Sequence, residues 1–94
     1  MYGTLTHPLA LDNVQQFFND LITLADPEYR RFRVRHHAEA YRIECLAQQP
    51  TSMILNQIIG FLDGLVASDV LTLDQGREFH QRLIKGIESA WMKT

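Results

Sequence analysis

The stretch Asp26-Pro27-Glu28-Tyr29-Arg30-Arg31-Phe32-Arg33-Val34-Arg35 admits two readings, and the choice between them decides the fold. From Arg31 to Arg35, charged and apolar residues alternate with period two, as in a half-buried strand. Asp26-Pro27-Glu28, in contrast, has the pattern of a helix start. An Asp caps, Pro sits where its missing N–H costs nothing, and Glu complements the helix dipole. The residues that follow, Ala38 to Gln48, are strong helix formers. No other segment alternates, so a strand here would have no partner to pair with. Helix is the reading adopted, over 27–48, ending ahead of Pro50.

Outward from this stretch, the remaining elements read as helices too. Upstream, Val14, Phe17, Phe18, Leu21 and Ala25 recur at three- and four-residue steps and predict a helix over 11–25. Asp12 is its expected N-cap, with Gln15 as capping-box partner. Residues 1–10 hold Gly3 and Pro8 without periodicity and read as a flexible lead-in to a single helical domain spanning 11–94.

Downstream, a third helix is predicted over 52–67, capped by Thr51 or Ser52. Ile54, Leu55, Ile58, Ile59, Phe61, Leu62, Leu65 and Val66 cover more than half of its circumference, which marks it as the expected central element. Gly60 and Gly64, one turn apart, read either as a place where another helix or a ligand comes close or as a small exposed face. Thr72 and Gln75 form a second capping box and open a fourth helix over 73–92. Four amphipathic helices with short connections imply an all-α, compact four-helix bundle with antiparallel neighbours.

Composition narrows function by exclusion. The chain is 46% hydrophobic and 21% charged, which is ordinary globular usage rather than that of a disordered segment. Its net charge of −2 exerts no bulk pull on nucleic acid or an anionic membrane. The most apolar stretch, Met53 to Ala67, is interrupted by Asn56, Gln57 and Asp63, and falls short of the ~20 apolar residues that a membrane span needs. Met1 to Ala10 lacks the basic and apolar regions of a secretory signal. The single cysteine, Cys45, cannot form an internal disulfide, which favours the cytoplasm.

No phosphate loop, HExxH, GxSxG, CxxC or EF-hand pattern is present, and no enzyme or cofactor is expected. His37, Tyr41, Glu44 and Cys45 neighbour one another on a helix, but zinc asks for four ligands, usually including a closer-spaced pair. His36 and His80 fall within apolar stripes and read as hydrogen-bonded core or boundary residues.

The second helix holds the informative features. Arg30, Arg31, Arg33, Arg35 and Arg42 are five of the nine basic residues of the chain. They spread over two sides of the helix, and Glu39 and Glu44 are placed to neutralise both. The unit formed by the third and fourth helices would carry Asp74 and Glu78 towards a phosphate backbone. A nucleic-acid-binding regulator that uses the Arg30–Arg42 cluster is therefore the alternative reading rather than the first.

Helix 2 also carries two apolar stripes. Tyr29, Phe32, Ala40, Ile43 and Ala47 form one, expected to face the bundle. Val34, Ala38, Tyr41 and Cys45 form the other, expected to bind a partner with Tyr41 as anchor and Arg31, Arg35 and Arg42 as a polar rim. The expected function is thus a protein-interaction module: an adaptor, an inhibitor, an immunity or antitoxin-like protein, or a subunit of a homodimer.

Overall fold

The computed structural model describes residues 7–47 and 52–93. It holds four helices in the order α1 (Pro8–Ala25), α2 (Phe32–Ala47), α3 (Ser52–Ala67) and α4 (Leu73–Glu88), with no strand among the described residues. The chain is an all-α four-helix bundle, and Arg31 to Arg35 do not form a strand. Of the lead-in expected over residues 1–10, Pro8 to Ala10 belong to α1, while residues 1–6, the end of helix 2 at Gln48 and the Thr51 cap lie outside the described residues.

α1 is the organising element, a place the sequence had suggested for helix 3. Ala10, Val14, Phe17, Phe18, Leu21 and Ala25 are all buried, and α1 packs against both α2 and α4, while α3 packs on α4. The cross-links give the directions. Arg31 donates to the Ala25 carbonyl, whereas Arg42 reaches back to Gln15 and Asn19, so α2 runs antiparallel to α1. On the other side, Arg82 pairs with Asp20 at 3.1 Å and Asn13 donates to the Trp91 carbonyl at 2.7 Å, so α4 is antiparallel to α1 as well. Phe17 sits at the centre, edge-on to Phe18, Phe79 and Trp91 at 5.0–5.6 Å between ring centroids.

Three helix ends differ from expectation, each for a local reason. α1 starts at Pro8, ahead of Asp12, because the His7 side chain supplies the cap by accepting the Leu9 N–H at 3.2 Å. α2 starts at Phe32 rather than Pro27. Tyr29 adopts a left-handed conformation at φ 58°, which a right-handed helix cannot contain. α4 ends at Glu88 rather than residue 92, because Ala90 and Trp91 are left-handed and fold the chain back onto the helix. The capping box of Thr72 and Gln75 is present as read, with reciprocal bonds of 2.9 and 3.1 Å.

The close approaches occur at glycines other than the expected pair. Gly60 and Gly64 face open space, and no neighbour lies within reach of an added Cβ. Gly76 and Gly86 are buried. A Cβ on the first would collide with Val66, and one on the second with the Trp91 ring.

Candidate interaction site

The turn between α1 and α2 is built on one carboxylate. Asp26, 3% exposed, accepts the backbone N–H groups of Arg30 and Arg31 on Oδ1 at 2.8 and 2.9 Å. Its Oδ2 accepts no hydrogen bond among the described residues, but lies 3.5 Å from Nε of Arg35. Burial by itself would raise the Asp26 pKa. The two backbone donors, then the charges of Arg35 and Arg31, outweigh burial and hold the carboxyl below its usual 3.8. Asp26 therefore acts on the first residues ahead of α2, although it stands too far upstream to be a conventional cap.

The left-handed Tyr29 throws its ring outward from this turn. The Arg35 guanidinium lies over that ring, 4.1 Å from the centroid, so Arg35 is held between a buried carboxylate and an aromatic face. One turn nearer the helix start, Phe32 is 76% exposed and stacks with His36 at 6.0 Å. Tyr29 is 75% and Ile43 63% exposed. Phe32 and Ile43, with Ala40 and Ala47, also exposed, make the outer face of α2, and Tyr29 stands just ahead of it.

The two stripes of α2 are consequently the reverse of what the sequence suggested. Ala38 and Cys45 are fully buried, and Val34 and Tyr41 pack against the core, with the Tyr41 ring 5.6 Å from Phe61 of α3. Val34, Ala38, Tyr41 and Cys45 therefore face the bundle, and Tyr41 is not available as an outward anchor. Side-chain size does not separate the two stripes, because Ala40 and Ala47 on the outer one repeat the seven-residue spacing of Ala38 and Cys45 on the buried one. His36 follows its stripe outward and is exposed rather than a core or boundary residue; His80 is half-buried.

Of the expected rim, Arg35 and Arg42 are brought together and Arg31 is turned aside onto the Ala25 carbonyl. Arg42 is only 15% exposed. It donates to Gln15 at 2.7 Å and Asn19 at 2.9 Å and is bonded to Glu39, while its buried Nε has no partner among the described residues. Between α1 and α2 lies a groove of about 480 Å³, lined by Ile22 and Thr23 on one side and by Tyr29, Phe32, Arg35 and Arg42 on the other.

Burial, with a smaller effect from Glu44, pushes the Cys45 thiol up to about 12, so it is not a nucleophile near neutral pH. Among the described residues, no three His, Cys, Asp or Glu side chains converge as metal ligands would, and no helix is long and apolar enough to cross a membrane. No family model, curated protein or solved structure matches the chain.

Proposed function

We propose that this chain acts by binding another protein through the outer face of α2, without a catalytic step of its own. The supporting observation is the exposure of Phe32 and Ile43 along one face of a helix whose opposite face already fills the core, with Tyr29 exposed just ahead of it. Aromatic and aliphatic side chains left in water at helical spacing favour association. The lone buried thiol needs no oxidising compartment, which supports a cytoplasmic setting.

The alternative, nucleic-acid binding through Arg30–Arg42, draws less support. Arg30 is paired with Glu28 and Arg42 with Glu39, so a phosphate backbone would meet carboxylates along the same stretch.

The test is co-purification from the native host with the wild type and with a Phe32→Ser/Ile43→Ser double variant. The reading expects a stoichiometric partner that the double variant loses and an exposed-surface control, Leu73→Ser, retains. A partner that both variants retain equally would move the binding surface away from α2.

A further inference from the structure

The groove beside that face has a chemistry more specific than an apolar patch. The position of Arg35 is fixed before any ligand arrives, by Asp26 at Nε and by Tyr29 beneath its plane. Its two terminal nitrogens have no acceptor among the described residues, and the side chain is one-third exposed. A guanidinium offering two parallel donors matches a carboxylate in both geometry and charge, and pre-organisation spares the entropy of freezing the side chain. Phe32, Tyr29 and Ile22 border the same groove and supply apolar contact around it.

We propose that the α1/α2 groove receives an acidic amphipathic segment of a partner protein. One Asp or Glu of that segment forms the paired hydrogen bonds with Arg35, and a neighbouring apolar side chain covers Phe32 and Ile43. This rests on the reading of α2 as a protein-binding face and names the chemistry of the partner.

Charge separates this occupant from its two rivals. A second copy of the chain would have to present the same face to itself. The carboxylate that borders this face, Glu39, is already bonded to Arg42, so a second copy would bring no uncommitted carboxylate to Arg35. A nucleic acid would bring a row of phosphates, whereas the groove offers the terminal donors of one guanidinium, Arg35, whose Nε faces Asp26, and Arg42 is already bonded to Glu39. One rigid cation among rings suits one carboxylate next to an apolar side chain.

The test uses two short helix-forming peptides with the same leucine face, one flanked by glutamates and the other by lysines, titrated into the isotope-labelled full chain. An oligonucleotide serves as third probe. The proposal expects the glutamate peptide to bind at least tenfold more tightly than the lysine peptide, and to shift the signals of Phe32, Ile43 and the Arg35 side chain. Exchanging peptide glutamates for glutamine one at a time should find a single position whose loss weakens binding roughly tenfold, the size of one charge-assisted bond. Arg35→Lys, which keeps the charge but not the fork, should weaken binding while leaving the melting temperature close to that of the wild type.

Equal binding of the two peptides at the α2 face would overturn the acidic assignment and leave the protein-binding reading standing. Peptide signals that shift only residues away from α2 would overturn both. Tighter binding of the oligonucleotide in the groove would replace the partner by a nucleic acid. A dimer in sedimentation that masks Phe32 would replace it by a second copy.

Discussion

Gly86 and Trp91 are in direct contact: a Cβ added to Gly86 would stand 2.9 Å from Cδ2 of the indole and nearer still to two other ring atoms. The left-handed pair Ala90 and Trp91 turns the chain so that this ring lies over the last turn of α4 and against Phe17 of α1. Gly86→Ala should therefore displace the ring at an overpacking cost of about 1–3 kcal/mol, against the ~1 kcal/mol that alanine gains in a helix. Gly64→Ala, with open space around it, should stabilise by about 0.5–1 kcal/mol. Urea unfolding followed by the fluorescence of Trp91, the sole tryptophan, reads both. A Gly86→Ala variant with unchanged midpoint and emission would mean that the ring is not held there.

The orientation of α2 can be checked with one substitution on each stripe. Ala38→Leu forces a large side chain into a fully buried site and should cost about 1–3 kcal/mol. Ile43→Ser, on the exposed side, should stay within about 0.5 kcal/mol of the wild type. The opposite ranking in denaturant midpoints would restore the orientation first expected from the sequence.

Asp26 sets the acid limb of stability. Its folded pKa lies below 3.8, so across that interval the unfolded chain binds the additional proton and stability rises with pH. The contribution is complete above the unfolded value and is lost as pH falls through the folded one. Asp26→Asn should lower the melting temperature at neutral pH and flatten the decline below about pH 4. Parallel wild-type and variant curves between pH 5 and 2 would assign the acid limb to other carboxylates.

Cys45 should resist alkylation in the native protein. A thiol raised to about 12 and fully buried offers almost no thiolate at pH 8. Iodoacetamide should modify it only in urea, at a rate that follows the unfolded fraction. Prompt native labelling, followed by mass spectrometry, would show that α2 opens readily around this position.

What the sequence made legible was whatever depended on neighbours along the chain. The apolar periodicity of 14–25 identified α1, and the Thr72–Gln75 box placed the start of α4 within a residue, because both are local agreements of side chain and backbone. The start of α2 was misread, although its elements were correctly singled out. Asp26 does bind N–H groups ahead of a helix, but it does so across a turn that Tyr29 closes in a left-handed conformation. A tyrosine in that conformation has no sequence signature of the kind that glycine carries. The facing of α2 was ambiguous for a different reason. Two stripes of similar apolarity compete for the core, each with a pair of small residues seven apart, and the outcome turns on which neighbours each stripe meets, which is a three-dimensional quantity. The groove and the held position of Arg35 follow from that orientation, so neither could be read before it was known.

α2 commits only Ala38 and Cys45 wholly to the interior of the protein. Phe32, His36, Ala40 and Ile43 stand apart from the packing that keeps the chain folded. Natural variation can therefore rewrite these four letters freely while the other side of the same sixteen-residue helix stays constrained. On the proposed reading, recognition and folding are under separate selection here, so descendants of this chain could acquire new specificities by drift on one surface, without first passing through an unstable ancestor.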